Sequence, residues 1–275
     1  MQALVRQGAA VLLMSWDDVG ERAGLADLFV LRTTWDYWER LPEFQGFLRA
    51  FEARADDGHP ILLNPPRTAL NNLDKRYLEQ LEGVPTVPTI YVRRGEERDA
   101  IDRARKHGWV RLVAKPTVGA ASSGLELFDA QAEALHAHLV SLTAAGQAMV
   151  QPYMPAITSD GETSLVFFEG VFSHAVNKMP APGEFRSQVD FGGVYTTVEP
   201  TTAQRKAAKA AIEAWETRFG DRLLYARVDL VPGDNGDALL GELELIEPEL
   251  FLHMDRGAAD RFAAAMLSRL DAQGK

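Results

Sequence analysis

Three carboxylates near the end of the chain lie in what the sequence predicts to be two neighbouring β-strands. Asp229 lies within the apolar run 224–231, and Glu242 and Glu244 lie in the next apolar run. Residues two apart point to the same face of a strand, so Glu242 and Glu244 share a face, and a hairpin would bring Asp229 beside them. Carboxylates grouped in an apolar sheet repel one another unless a cation joins them. With Glu247 close by, the pattern favours an Mg²⁺ site over its alternative, a solvated acidic face.

Basic residues beside small-residue loops form a second group that could bind phosphate. Lys115 ends the predicted strand 110–115 and is followed by the Gly, Ala and Ser residues of 119–124. Lys178 ends another predicted strand, and Arg186 follows it near a Gly-Gly pair. Small residues let backbone N–H groups approach an anion, and a guanidinium fork fits the oxygens of a phosphoryl group. The pattern predicts phosphate binding, with a mobile basic loop as the alternative for Lys178 and Arg186.

Several other kinds of site are disfavoured by the sequence. No glycine fingerprint for nicotinamide cofactors follows a predicted strand, and Leu125-Glu126 replace the Lys and Ser/Thr that a P-loop needs. The absence of cysteine excludes disulfides, thiolate zinc sites and Cys nucleophiles. The excess of 39 acidic over 29 basic residues disfavours a nucleic-acid partner. No apolar run approaches the roughly 18–20 residues that span a bilayer, so we expect no membrane partner. We expect the protein to be cytoplasmic, as a monomer or a homo-oligomer.

Alternating strands and helices must position these groups, which predicts an α/β (α+β) fold. Residues 1–71 predict a small N-terminal α/β domain, with helices at 1–8 and 44–55 and strands at 9–16, 28–32 and 61–63. An α/β domain that begins with a helix is unusual, so the sequence leaves open whether a strand precedes residue 1.

Two further units follow the first. Residues 72–154 predict a central lid, with helices at 72–81, 96–106 and 130–145 and strands at 86–92, 110–115, 125–128 and 148–153. Residues 155–275 predict an antiparallel sheet with strands at 163–169, 171–177, 225–231 and 238–246, and helices at 201–219 and 255–270. Glu169-Gly170 suits a hairpin tip, and the sequence P-G-D-N-G at 232–236 predicts a turn.

Taken in order, these motifs resemble those of the ATP-grasp superfamily, which includes glutathione synthetase, D-alanine ligase and the ribosomal-protein glutamate ligases. The matching run covers residues 72–250 and comprises Lys75, V-A-K-P-T-V-G-A-A-S-S-G at 113–124, V-Q-P-Y-M at 150–154, G-E-T-S-L at 161–165, H-A-V-N-K at 174–178, F-R-S-Q at 185–188, R-V-D-L-V at 227–231 and G-E-L-E at 241–244. The resemblance implies three small domains around a cleft, with ATP between the central lid and the C-terminal antiparallel sheet.

The resemblance also implies a role for each matching position. The residues implied to bind ATP are Lys75, Lys115, Ala120, Ser122, Ser123, Gln151, Tyr153, Met154, Glu162 and Lys178. Lys178 and Arg186 would steady the γ-phosphate and an acyl phosphate. Asp229, Glu242 and Glu244 would hold two Mg²⁺ ions, with Mn²⁺ as the alternative metal. The family usually has Glu-x-Asn where this chain has Glu242-Leu-Glu244, so either Glu244 or Glu247 would complete the metal site.

Within the superfamily the chain is most similar to the D-cycloserine synthetase group, whose ligase closes O-ureido-D-serine into a ring in antibiotic biosynthesis. The motifs behind this similarity are L-R-T-T-W-D-Y-W at 31–38, N-N-L-D-K-R-Y-L at 71–78 and E-L-E-L-I-E-P-E-L-F at 242–251. The resemblance implies an Mg·ATP-dependent ligase that joins a small-molecule carboxylate to an amine. The alternatives are a ligase that condenses two separate molecules and a non-catalytic nucleotide-binding module.

Substrate contacts are expected from both ends of the chain. Arg32, Thr34 and Tyr37 follow a predicted strand end, where α/β folds present ligands. The alternative for the aromatic residues of 35–38 is that they only pack in the core. The remaining substrate candidates are Gln188, Gly193 and Glu247.

Overall fold

The computed structural model describes residues 1–53, 61–120, 122–233 and 236–272, and its strands form three sheets. A two-stranded sheet, a four-stranded sheet and a five-stranded sheet follow one another along the chain. This architecture confirms the predicted mixed α/β class. Among the described residues, none of the helices combines the length and the apolar character that crossing a lipid bilayer requires.

The N-terminal part is built on a small parallel sheet. Its elements are α1 (Gln2–Arg6), β1 (Leu28–Val30), α2 (Leu41–Glu52) and β2 (Ile61–Leu63). Strands β1 and β2 pair in parallel, with Leu28 opposite Ile61. Helix α2 buries Phe44, Leu48 and Phe51, one helical turn apart, in a core that also holds Trp16. The predicted end of this helix at Ala55 lies outside the described residues.

The predicted strand at 9–16 is wrong. Residues 9–15 belong to no helix or strand, and the side chains of Leu12 and Leu13 are 57% and 78% exposed. Strand β1 pairs with β2 and with no other described strand, so the run at 9–15 has no ladder to join. Trp16 anchors the segment, because its ring is buried and its Nε1 donates to Asp36 at 2.9 Å, and Met14 packs against the same core.

The predicted helix at 72–81 is also replaced by a different arrangement. Helix α3 (Pro66–Asn72) comes earlier, and a 3₁₀-helix follows at Lys75–Gln80. Pro66 is suited to a first helical position, which accounts for the earlier start. The side chain of Asp74 accepts a hydrogen bond from the backbone N–H of Arg76, so it caps the second helix and separates it from the first.

The four-stranded sheet has helices on one face and leaves its other face open. Its strands are β3 (Ile90–Val92), β4 (Arg111–Pro116), β5 (Glu126–Asp129) and β6 (Ala148–Pro152), in the order β3-β6-β4-β5. Helix α4 (Glu97–Lys106) follows β3, and helix α5 (Glu133–Ala145) follows β5. Leu112 and Ala114 are buried against α4 and α5. Since strand side chains alternate, Val113 and Lys115 project from the opposite face.

The five-stranded sheet completes the fold. Its strands are β7 (Glu162–Phe168), β8 (Val171–Met179), β9 (Val194–Thr197), β10 (Tyr225–Pro232) and β11 (Ala238–Glu244), in the order β11-β10-β7-β8-β9. Helix α6 (Ala156–Asp160) precedes β7, α7 (Thr202–Phe219) follows β9, and α8 (Ala258–Asp271) follows β11. Glu169 and Gly170 both have positive φ, so the predicted hairpin tip is confirmed. Of the predicted turn at 232–236, residues 234 and 235 lie outside the described residues.

One face of this sheet is apolar at one end of its strands and polar at the other end. The face under α7 is mainly apolar and includes Leu165 and Val228, while Thr163 accepts a hydrogen bond from Gln204 of α7. On the other face, Val166 and Phe168 pack in the cluster that includes Phe262 of α8, whereas Ser164, two residues earlier in β7, begins a polar region. This polar half faces the open side of the four-stranded sheet across a cleft, which is where the predicted site residues gather.

Candidate active site

The polar half of the five-stranded sheet brings the predicted carboxylates together. Strands β10 and β11 form the predicted antiparallel hairpin, in which Asp229 lies opposite Glu242 and Arg227 lies opposite Glu244. The register shifts after Asp229, where Gly241 is the extra residue of a β-bulge. All four charged side chains line one cleft.

Asp229 is the centre of a buried ion network. Its carboxylate accepts hydrogen bonds from Ser164 Oγ at 2.6 Å and from Arg227 Nε and Nη2 at 3.0 and 2.8 Å. Lys178 Nζ lies 3.2 Å from its Oδ2. Burial alone would raise the pKa of Asp229, but the charges of Arg227 and Lys178 and these hydrogen bonds hold it well below its usual value.

Lys178 joins two carboxylates from different strands. Besides Asp229 it contacts Glu162, its cross-strand neighbour, with Nζ 2.5 Å from Oε1. Burial would lower the pKa of Lys178, but the two carboxylates raise it above its usual value. Glu162, which is implied to bind ATP, is therefore paired with a cation here.

Lys75 connects the 3₁₀-helix to the last strand and to the small-residue loop. Its Nζ lies 3.1 Å from Glu242 Oε1 and donates to the carbonyl oxygen of Gly119 at 2.8 Å. Burial opposes the charged form of Lys75, but Glu242 raises its pKa above the usual value. The pair leaves Glu242 partly exposed to the cleft.

Glu244 and Glu247 are held in surroundings that favour their protonated forms. Burial raises the pKa of Glu244 to about 7, and the charges of Glu242 and Asp229 act in the same direction. The ion pair of Glu244 with Arg227 opposes this shift but does not cancel it. Burial and the charge of Glu244 raise the pKa of Glu247 to about 8. Within the described residues, no three acidic or histidine side chains are grouped closely enough to hold a metal ion as they stand. The assignment of metal ligands therefore stays a prediction.

Lys115 is the cation that remains without a partner. Within the part of the chain that the structure describes, its ammonium makes no ion pair or hydrogen bond, although it lines the cleft from the four-stranded sheet. Burial lowers the pKa of Lys115, while Glu242 opposes this shift. A partly enclosed, unpaired ammonium is suited to an anionic ligand.

Two buried polar atoms in the same cleft also lack partners. Ser122 Oγ and Gln188 Oε1 form no hydrogen bond within the described residues, although almost all buried polar atoms in proteins do. Ser122 also has a φ of 58°, a left-handed conformation that is uncommon outside glycine. Both residues line the cleft together with Lys115, Ala120 and Ser123.

The far end of the cleft is an apolar slot with polar edges. It is part of a space of about 750 Å³, open to solvent, whose walls include Val87, Val113, Leu125, Ile157 and Val231. Gln151, Tyr153 and Met154, which are implied to bind ATP, also line it. Gln151 Nε2 donates to Thr89 Oγ1 at 2.9 Å, which fixes the amide. A slot of this kind can hold a flat aromatic base.

Arg186 reaches the cleft from the loop after β8. Its Nη2 lies 2.7 Å from Glu184 Oε2, and its guanidinium stacks 3.5 Å from the centroid of the Phe191 ring. The hydrogen bonds from Arg186 lower the pKa of Glu184 to about 2. A Cβ on Gly193 would lie 2.1 Å from the carbonyl oxygen of Ser187, so only glycine permits this folding of the loop.

The predicted substrate residues of the N-terminal part do not all reach the cleft. Tyr37 and Trp35 line it. Arg32 instead donates to the carbonyl oxygen of Pro248 at 3.0 Å, and Thr34 Oγ1 is buried without a partner among the described residues. Arg32, Thr34 and Gly193 are absent from the cleft lining among the described residues, so direct contact between these residues and a substrate stays a prediction.

Arg227 and Asn72 are site residues that the sequence analysis did not single out. Arg227 bridges Asp229, Glu244 and the carbonyl oxygen of Glu249. Asn72 holds the end of β11 in place, because its amide donates to Leu243 O at 2.8 Å and accepts from Leu245 N at 2.9 Å. For Arg227 a signal existed, since a cation two residues from Asp229 in a strand shares its face. For Asn72 the signal was its place in the motif N-N-L-D-K-R-Y-L at 71–78, which did not indicate its contacts.

The chain is similar to known proteins over nearly all of its length. The family model described as the N-terminal domain of D-cycloserine synthetase DcsG matches residues 1–56, and that of the ATP-grasp domain of prokaryotic glutathione synthetase matches residues 84–234. The cycloserine biosynthesis protein DcsG of Streptomyces lavendulae is 33% identical over 98% of this chain and 92% of its own. The glutathione synthetase of Prochlorococcus marinus is 28% identical over 66% of this chain and 56% of its own.

Solved structures give the same relationship. The crystal structure of D-cycloserine synthetase DcsG superposes with a TM-score of 0.87 at 32% identity, covering 98% of this chain and 92% of that one. The D-alanine–D-alanine ligase of Bacillus anthracis shares the fold alone, with a TM-score of 0.70 at 14% identity, covering 100% of this chain and 93% of that one. Sequence and fold together show that the chain is an ATP-grasp ligase, an ATP-dependent enzyme, and that it belongs to the family of D-cycloserine synthetase.

Proposed function

We propose that this ligase activates the carboxylate of a small amino acid as an acyl phosphate and closes it onto a nitrogen of the same molecule. The observation that carries the proposal concerns three groups that have no partner among the described residues. They are the Lys115 ammonium, Ser122 Oγ and Gln188 Oε1, and they lie in the cleft that Asp229, Glu242 and Glu244 also line. Unpaired cationic and polar groups opposite carboxylates fit a polyphosphate that arrives with a divalent cation.

Each of the three predicted units would contribute a different part of the cleft. Residues 72–154 supply Lys115 and the apolar slot for adenine, with Gln151, Tyr153 and Met154 at its edge. Residues 155–275 supply the carboxylates, and residues 1–71 close the end of the cleft with Tyr37. Lys75 lies at the junction, since it contacts both Gly119 and Glu242.

The carboxylates fit Mg²⁺ in chemistry, because they are hard oxygen donors on one sheet face. We infer two ions, with Mn²⁺ as an alternative, held by Asp229, Glu242 and Glu244, with Glu247 as the other candidate. When bound, the metal neutralises charge on phosphate oxygens and polarises the γ-phosphoryl group. The carboxylates must first exchange their present partners, Arg227, Lys178 and Lys75.

The chain's own residues would catalyse both steps by position and charge. In the first step a substrate carboxylate oxygen attacks the γ-phosphorus and ADP leaves; Lys115 and Lys178 attract the phosphate oxygens and hold them in line. In the second step a substrate nitrogen attacks the acyl carbon, loses a proton, and phosphate leaves. Arg186 would stabilise the oxyanion of the tetrahedral intermediate, because its guanidinium offers several donors.

The test is ADP release with O-ureido-D-serine and a panel of D- and L-amino acids, followed by mass spectrometry of the products. A product with the carbon skeleton of one amino acid supports cyclisation. A product that contains two substrate molecules supports the alternative, an intermolecular ligase. ATP binding without ADP release from any member of the panel would contradict the proposal and favour a nucleotide-binding module.

A further inference from the structure

We propose that Glu247 binds the α-ammonium group of an amino-acid substrate. This inference rests on the proposed function, because it names the chemical group by which the same cleft would select its substrate. It assigns to Glu247 a monocation from the substrate, in place of the metal ion for which Glu247 is the other candidate ligand.

Among the described residues, Glu247 differs from the other buried carboxylates in having no side-chain partner, although its own backbone N–H donates to it. Four carboxylates are buried among the described residues, and three are satisfied: Glu97 by Thr143 and Gly95, Asp221 by Arg67 and Thr68, and Asp229 by Arg227, Lys178 and Ser164. Glu247 is 8% exposed and lines the cleft. Within the described ranges it forms no ion pair and no hydrogen bond to another residue's side chain.

A carboxylate that is buried without a partner is unfavourable unless a ligand completes it. Its pKa of about 8, raised by burial and by Glu244, reflects this environment. An ammonium group would restore a charge-assisted hydrogen bond and remove the penalty. A divalent metal requires several oxygen ligands. Glu244, three residues earlier at the end of β11, is already bound to Arg227.

The backbone around Glu247 is held rigidly, although it belongs to no helix or strand. Its flanking carbonyl oxygens each accept a hydrogen bond from a buried or partly buried side chain: Leu245 from Asn64 at 2.9 Å, Ile246 from Tyr225 at 2.6 Å, Pro248 from Arg32 at 3.0 Å and Glu249 from Arg227 at 3.2 Å. These four bonds hold the backbone on both sides of Glu247 in place. A binding residue whose backbone is already fixed loses less entropy when a ligand arrives.

The walls beside Glu247 suit a small cationic group. Tyr37, Trp35 and Phe251 line the same cleft as Glu247. Burial raises the pKa of Tyr37, and the charge of Glu247 raises it further. Aromatic faces and a tyrosine oxygen are favourable neighbours for an ammonium group. Since Arg227 lines the cleft too, the α-carboxylate of the same substrate can extend towards the cationic part of the site.

The experiment compares O-ureido-D-serine with its analogue that lacks the α-amino group, 3-(ureidooxy)propionate. Binding of each to the full chain loaded with Mg²⁺ and a non-hydrolysable ATP analogue is measured by calorimetry, so the readout does not depend on turnover. We expect the wild type to bind the amino acid about 10- to 100-fold more tightly, and Glu247→Gln to remove this preference while the analogue binds as before. The affinity for Mg²⁺ and the nucleotide should be unchanged in Glu247→Gln.

Asp190→Asn provides the matched control. Asp190 is an exposed carboxylate at the rim of the same cleft, so this variant changes the net charge equally but should keep the preference for the amino acid. Glu247→Gln should fold, because an amide of similar shape replaces a buried carboxyl group that has no side-chain partner among the described residues, and its melting temperature checks this.

The possible results separate the two proposals. Amino-acid binding that depends on Glu247, without ADP release, would contradict the cyclo-ligase function and leave this inference standing. Equal binding of the two compounds by the wild type, including no binding of either, would overturn the inference. It would also be overturned if Glu247→Gln kept the preference or weakened Mg²⁺ binding instead.

Discussion

The guanidinium of Arg32 donates to the carbonyl oxygen of Pro248, 216 residues further along the chain, at a distance of 3.0 Å. This hydrogen bond joins the end of the first strand to the segment that carries Glu247. Arg32 is largely buried, and burial lowers its pKa below the usual value. The N-terminal part therefore acts on the cleft by fixing the backbone beneath it.

Arg32→Met should weaken amino-acid binding without affecting the nucleotide. Loss of the donor leaves the Pro248 carbonyl without its partner, at a cost of about 1–3 kcal/mol, and lets the Glu247 segment move. We expect KM for the amino acid to rise about tenfold, with KM for ATP unchanged. Steady-state ADP release measures both. Arg49→Met, on the exposed side of α2, is the control; a rise in KM for ATP instead would contradict a role at the substrate end.

Lys115→Met should impair nucleotide binding while leaving the fold at least as stable. The ammonium has no partner among the described residues, so its removal breaks no ion pair and relieves a desolvated charge. A hydrogen bond to a charged group contributes about 1.5–3 kcal/mol, so the Kd for Mg·ATP should rise roughly 10- to 100-fold. Calorimetry measures the affinity, and thermal unfolding measures the stability. Lys106→Met, on the exposed end of α4, should leave the affinity unchanged.

Glu242→Gln and Asp229→Asn should separate catalysis from folding. Glu242 is partly exposed in its pair with Lys75, so its loss should cost under about 1 kcal/mol of stability. Asp229 is buried between Arg227 and Lys178, and removing its charge should cost about 3 kcal/mol. We expect both variants to lose at least about 100-fold in kcat. Denaturant unfolding together with ADP release checks this; wild-type turnover in Glu242→Gln would remove the metal assignment.

Gly193→Ala should slow turnover through the loop that carries Arg186. The added Cβ would lie 2.1 Å from the Ser187 carbonyl oxygen and 2.9 Å from that of Gln188, so the loop must shift. Because a small misplacement of a charged group reduces transition-state stabilisation, kcat should fall about tenfold or more with a smaller change in KM for ATP. Gly146→Ala is the control, since nothing lies within 4 Å of its Cβ position. Equal kcat in the two variants would argue against a positioned Arg186.

The carboxylate face was predictable because it depends on local patterns. Alternation placed Glu242 and Glu244 on one face, and a strong turn signal predicted the hairpin that adds Asp229; both are present in the structure. The strand predicted at 9–16 failed for a related reason. An apolar run shows that a segment can form a strand, but whether another strand is there to pair with it depends on the rest of the fold.

Long-range contacts account for what the sequence did not reveal. Lys178 and Asp229 are 51 residues apart, and their pairing requires β7 to lie between β8 and β10. The four hydrogen bonds around Glu247 come from Asn64, Tyr225, Arg32 and Arg227, in three separate parts of the chain. No periodicity in a single segment encodes such an arrangement, so Glu247 could be suspected from its neighbours but not identified as the unpaired carboxylate.

The pKa of Glu247 predicts how stability depends on pH. Its value in the folded protein is about 8, against an ordinary value of 4.5. Between these values the folded state holds a proton that the unfolded state has released, so the free energy of unfolding falls as pH rises, by up to about 1.4 kcal/mol per pH unit. Glu244, with a pKa of about 7, contributes in the same direction up to that pH. The lowered pKa of Asp229 gives the opposite dependence, but only below the ordinary range of an aspartate, outside this window.

Glu247→Gln should therefore be more stable than the wild type at high pH, and the difference should grow from pH 5.5 to 7.5. Denaturant unfolding without divalent ions measures it, and subtracting the two curves removes the contributions of histidines such as His174, which the variants share. A ligand that supplies a cation to Glu247 should reduce the slope of the wild type, because the bound ammonium stabilises the carboxylate. Parallel pH curves for the two proteins would show that Glu247 is ionised and solvated in the folded state, contrary to its burial here.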